Sequence, residues 1–224
     1  MGVVRRLVLV CCVLLLWYWW QCFLLMEFGG GLLAQKPSPP RISVAAPLGV
    51  PSDDASYTVI GAPTITPGFI DRVLSAYGSP AAGTGQALYD LGVQYGIDPV
   101  YALAFFLHED SFGETGIGAA NHSLGNIRCS AGYSCQYGFR YYATWQDGYQ
   151  DWYSLILNGY VKGHITNSIA GHPCSTVDEI VPVYAPSSDH NDVAAYSAAI
   201  KHAVETWRSG KIAVERFGTE DVRG

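Results

Sequence analysis

Charged side chains are scarce in this chain, at 14% of residues, and basic ones are scarcest: 13 Lys and Arg stand against 19 Asp and Glu. Leaving out Arg5, Arg6 and Glu27, which flank an N-terminal apolar run, 11 basic residues face 18 acidic ones. Such a surface repels phosphate backbones, so nucleic acid is excluded as a partner. Metal-binding spacings are missing too. Outside the apolar run the chain has only Cys129, Cys135 and Cys174, no C-x-x-C pair accompanies them, and His164 and His172 are too far apart to share a helical turn. No zinc site is expected, and nothing else in the sequence calls for a metal or cofactor. Acids are absent from one long stretch, with no Asp or Glu between Glu114 and Asp147.

Charge is also absent from Leu7 to Met26. About 20 apolar residues in a helix suffice to cross a hydrocarbon core of roughly 30 Å. Arg5 and Arg6 before the run and Glu27 after it place the short N-terminus in the cytoplasm and the rest outside. Residues 1–28 are therefore expected to be a transmembrane signal anchor in a bacterial cytoplasmic membrane. A cleaved signal peptide, giving a secreted protein, is the alternative; its apolar core is usually shorter, about 7 to 15 residues, and the nearest site, around Leu32 to Ala34, puts Leu where a small residue is wanted. An oxidising compartment would let Cys129 and Cys135 close a small loop by a disulfide.

Residues 29–63 run through GGG, KPSPP, APLGV and PSDDAS, with little apolar periodicity, and read as a linker. Residues 64–212 carry the helical patterns of a mainly α domain, and 213–224 form a C-terminal tail. Apolar residues recur at helical spacing over Pro67 to Tyr77 and Gly85 to Tyr95, where Gly96 supplies a stop. Asp98 followed by Pro99 marks a strong helix start, because the carboxylate caps free amides and proline at the first position sacrifices no hydrogen bond. That helix runs to about Ser111. Trp145 to Tyr160, Thr176 to Tyr184 and Asn191 to Ser209 supply three more. Glycines and aromatics without helical period between Phe112 and Tyr142 predict a small irregular lobe with a hairpin.

The segment DPVYALAFFLHEDSFG is almost wholly apolar until His108, Glu109 and Asp110. Ala102, Phe105 and Glu109 share one stripe, while Asp110 points about 100° away. A carboxyl at the edge of an aromatic pocket is desolvated, and the negative end of the helix dipole further disfavours its charge. Its pKa should rise. That is the condition for donating a proton to a glycosidic oxygen near neutral pH. His108 reads as a helix-end residue or an orienting partner.

Four segments follow one another in order: His108-Glu109-Asp110-Ser111-Phe112-Gly113; Asn121 to Arg128; Phe139-Arg140-Tyr141-Tyr142, leading into a helix with Asp147; and Tyr184-Ala185-Pro186, with Asp189 beyond. Across about Gly96 to Trp207 they resemble the bacterial glucosaminidase domains that cut peptidoglycan, within the lysozyme-like superfamily. The resemblance implies a lysozyme-like helical fold and cleavage of the β-1,4 bond after N-acetylglucosamine, with peptidoglycan strands as substrate. It implies Glu109 as general acid and Tyr184 as an active-site residue, with Leu124, Asn126 and Ile127 lining the cleft floor. Asn126 stands where the family more often has Gly.

Rings that stack on sugar faces are expected in such a cleft, and Phe112, Tyr133 and Tyr137 are candidates, with packing the alternative. Trp152 and Tyr153, at helical spacing, read as core. The second carboxylate that the family often supplies from the lobe is missing here. It falls to Asp189, Asp110, Glu114 or Asp147, or to no residue at all if the substrate's own acetamido group attacks the anomeric carbon. A lytic transglycosylase on the same scaffold would usually show a Gly-Leu-Met-Gln run, absent here. An inactive wall-binding module is the remaining alternative.

Overall fold

The computed structural model describes residues 57–114 and 116–215, and the transmembrane and most of the linker expectations lie outside them. Among the described residues no helix is long and apolar enough to cross a membrane. The domain is mainly helical, as the periodicity requires.

Helix α1 (Pro67–Ala76) starts where Thr66 accepts from the Phe69 amide, and α2 (Gly85–Tyr95) stops at Gly96, whose φ of 67° suits a residue without Cβ. Helix α3 (Pro99–Asp110) is apolar all round, so it becomes the axis of the core: every residue from Pro99 to Phe106 is buried. Asp98 caps it through the Val100 amide at 3.2 Å. The same carboxylate accepts from Thr64 Oγ1 at 2.6 Å and pairs with Arg208 at 3.0 Å, fastening three distant segments at the start of the central helix.

A 3₁₀ turn (Ser111–Gly113) and short α4 (Ile117–Asn121) lead into the lobe, whose hairpin pairs β1 (Cys135–Gln136) antiparallel to β2 (Phe139–Arg140). Helix α5 (Trp145–Ser154) opens with a reciprocal cap between Thr144 and Asp147, then widens into a π-helical segment over Leu155–Val161. The sequence pattern predicts a single α-helix here. Helices α6 (Thr166–Ile169), α7 (Val177–Tyr184) and α8 (Val193–Arg208) complete the domain. Helix α8 packs along α3, and Phe105, Trp152, Tyr153, Ile200 and Trp207 are almost entirely removed from solvent.

The domain begins earlier than the composition suggests. Residues 57–63, assigned above to the linker, lie against the fold: Val59 is fully buried, and Thr58 and Ile60 form bridges with Thr176 and Ile97. At the other end, Ile212 and Val214 pack on the core, and Trp207 Nε1 donates to the Ile212 carbonyl. Polar linker composition hid two apolar anchor points.

Cys129 and Cys135 form a disulfide across six positions, while Cys174 is free and buried. So short a loop gives a chain-entropy effect of about 2 kcal/mol, confined to the lobe. Reduction should therefore speed amide exchange over 129–142 while leaving α3 and α8 protected. Exchange in the lobe that is equal with and without reductant would contradict this.

Candidate active site

Glu109 sits in the last turn of α3, where its stripe leaves the core and opens on a cleft of about 440 Å³. The cleft is also lined by Asn126, Ile127 and Arg128 of the lobe, Leu155 and Tyr160 of the π segment, Tyr184 of α7, Asp189 beyond it and Tyr196 of α8. The π segment matters here. Widening the helix brings residues five apart closer to one face, so Leu155 and Tyr160 both reach the cleft.

Burial raises the Glu109 pKa above the ordinary carboxylate value, against a smaller lowering from a hydrogen bond that the Tyr196 hydroxyl donates to Oε1. Relative to a solvated carboxyl, the protonated form is stabilised at this position, the direction that the apolar stripe predicts. His108 is exposed, but its ring lies 3.8 Å from that of Tyr196, and partial desolvation lowers its pKa. A positive charge on this imidazole beside Glu109 is thereby disfavoured.

Tyr184 lines the cleft as expected, but its hydroxyl serves the floor: it donates to the Gly125 carbonyl at 2.7 Å, and its ring meets Phe105 edge-on at 5.2 Å. Asn126 adopts a left-handed backbone (φ 42°), and its amide donates to the Glu109 carbonyl at 3.4 Å. The backbone explains why the glucosaminidase domains that the sequence resembles more often have glycine at this position. The position needs positive φ, which Gly takes freely and Asn tolerates better than most residues.

Several expected site residues lie elsewhere. Phe112 is fully buried, because Ser111, Phe112 and Gly113 all have positive φ and the reversal turns the ring behind α3, 5.3 Å from Tyr77 and 6.2 Å from Trp207. Its carbonyl accepts from Ser79 Oγ at 2.7 Å. The Ser-aromatic-Gly motif therefore ends the acid's helix and anchors it. Leu124 is 1% exposed and belongs to the core beneath the floor. Tyr133 stacks under the Arg140 guanidinium at 3.5 Å, and Tyr137 projects from the hairpin tip at 72% exposure; neither lines the cleft. Arg140 ties the lobe to α5 through Asp151 at 2.7 Å.

Of the four carboxylates expected as a second acid, only Asp189 reaches the cleft, where it pairs with Arg128 at 2.9 Å. Asp110 faces away, its Oδ1 accepting from the Gly113 amide and its Oδ2 buried against Gly118; burial pushes its pKa up to about 7. Glu114 lines a separate groove with Tyr77 and His202, and Asp147 is engaged in the cap of α5. Nothing in the sequence marks Tyr160 and Tyr196 for the cleft, since an aromatic residue at helical spacing usually means core.

No family model matches the chain, and no curated protein matches it. Among solved structures the chain is similar to the crystal structure of peptidoglycan hydrolase from Sphingomonas sp. A1, at 14% sequence identity and a TM-score of 0.43, with 69% of this chain and 100% of that chain covered. A likeness of that degree assigns neither family nor chemistry.

Proposed function

We propose that the chain is a peptidoglycan hydrolase that cleaves the β-1,4 bond after N-acetylglucosamine, with Glu109 as the general acid. One observation carries the reading: a desolvated carboxyl, biased toward its protonated form, at the edge of an open cleft walled by amide and tyrosine side chains. The ordered motifs around Glu109 supply the substrate class. As the glycosidic C–O bond breaks, Glu109 protonates the departing oxygen; the resulting carboxylate later takes a proton from the water that adds to the anomeric carbon.

The nucleophile is assigned to the substrate. Asp189 is the sole expected second acid on the cleft wall, and Arg128 already holds it. Attack by the acetamido oxygen on its own anomeric carbon needs no protein nucleophile. An inverting route through Asp189 would need the two carboxyls about 6.5 to 9.5 Å apart with a water between them.

The test is digestion of purified peptidoglycan with the chain from Tyr57 onward, with products read by mass spectrometry. New reducing ends at N-acetylglucosamine support the hydrolase. Anhydro-muramyl ends would replace it with a lytic transglycosylase, and intact strands at every pH would leave a wall-binding module. The site of action is proposed to be outside the cytoplasmic membrane, tethered by Leu7 to Met26; release of the full chain from membranes by alkaline wash would refute the tether.

A further inference from the structure

A neutral carboxyl group carries its proton on one oxygen, and a general acid works only if that oxygen faces the leaving group. In Glu109 the choice is constrained. The Tyr196 hydroxyl donates to Oε1, and no second side chain among the described residues hydrogen-bonds that carboxyl. Of the two oxygens of a neutral acid the carbonyl oxygen is the better acceptor, so a phenol that donates a hydrogen bond to Oε1 favours the acidic proton on Oε2.

The donor is held firmly. Tyr196 is 4% exposed, its ring 6.0 Å from Phe105 on one side and 3.8 Å from His108 on the other. It projects from α8, the long helix packed along α3, so the contact joins the acid's helix to its neighbour directly at the reacting group. The other titratable groups near Glu109 are His108 and Asp110 on its own helix, Tyr160 of the π segment, Tyr184 of α7, and Arg128 and Asp189 across the cleft.

We infer that Tyr196 is a positioning residue that fixes which oxygen of Glu109 holds the transferable proton and aims that oxygen into the cleft. The inference rests on Glu109 being the acid. Two opposed effects act on that acid, since burial raises its pKa and the tyrosine hydroxyl lowers it. Removing the hydroxyl therefore leaves burial less opposed, and the Glu109 titration moves upward.

The experiment uses Tyr196→Phe in the full chain. The Glu109 carboxyl is followed by carbon NMR, its signal assigned by loss in Glu109→Gln, and cleavage of peptidoglycan is measured across pH. The titration is expected to move up by about one unit, the scale of one hydrogen bond to a charged group. The alkaline limb of kcat should move with it, and kcat near neutrality should fall about tenfold at unchanged KM. Incorporating 3-fluorotyrosine at Tyr196, a stronger donor of nearly the same shape, should move both downward, and this arm stands if the phenylalanine variant fails to fold.

An unmoved Glu109 titration in a folded variant would overturn the inference, as would a moved titration with unchanged kcat. A titration that moves as expected in Tyr196→Phe, while the wild-type chain cleaves no glycan, would instead overturn the glycosidase reading.

Discussion

Glu109→Gln is expected to lower peptidoglycan cleavage about 10³-fold, within the range of 10²–10⁴ that a positioned general acid contributes. The substitution is chosen for what it leaves in place. Gln has the same length, and its amide oxygen still accepts from the Tyr196 hydroxyl, so the cleft wall stays closed around the position. What disappears is the proton. Stability should move the other way. Burial raises the Glu109 pKa above that of the unfolded chain, so the stabilisation from this group is complete below the unfolded value and is lost as pH rises through the folded one. The glutamine variant escapes that loss, and its Tm at alkaline pH should equal or exceed that of the parent. Reducing-end release and thermal unfolding at pH 5 and pH 8 check the two halves separately. Wild-type rates in the variant would refute the assignment; a large fall in Tm would show that the side chain is chiefly structural.

The sequence made the scaffold of this site readable. Two boundaries of the central helices fall at residues whose chemistry forces them: Gly96 after Tyr95, and Asp98 before Pro99. An almost uninterrupted apolar run marked α3 as the buried axis, and the first carboxylate on its inner stripe was the one that opens on the cleft. The walls were harder to read. Whether an aromatic ring lies in a core or on a cleft depends on which elements close over it, and periodicity is silent on that. Phe112 follows the motif but is turned inward by three consecutive left-handed residues, while Tyr196, which no motif marks, hydrogen-bonds the Glu109 carboxyl. The second carboxylate shows the same limit. Asp110 neighbours Glu109 in sequence, yet the helical rotation sends it against Gly118; Asp189, far along the chain, reaches the cleft instead. The π segment left no trace either, because it changes the winding and keeps the apolar period.

The lobe is held against the helical half by a contact that a single methyl group should break. Gly148 lies inside α5, where glycine normally costs about 1 kcal/mol relative to alanine, so Gly148→Ala would stabilise an isolated helix. In this fold a Cβ at Gly148 would stand 2.1 Å from the His122 carbonyl oxygen and 3.3 Å from the Tyr142 ring. The carbonyl cannot swing aside easily. His122 already holds a left-handed conformation, its ring nitrogen is hydrogen-bonded to the Tyr142 carbonyl at 3.0 Å, and its ring packs on Trp145. Overpacking of this kind costs about 3 kcal/mol when backbone must shift, which outweighs the gain in propensity. The loop that would move leads from His122 directly to Asn126 at the acid. Gly148→Ala should therefore lower Tm by several degrees and cleavage at least tenfold together. The control is Gly68→Ala, in the first turn of α1, where the nearest atom to an added Cβ is the flexible end of Arg72 at 3.9 Å. There the same chemical change should leave cleavage unaltered and raise Tm slightly. If both variants melted at or above the parent temperature, the close approach of α5 to the cleft loop would be refuted, and with it the account of how the lobe is fixed over Glu109.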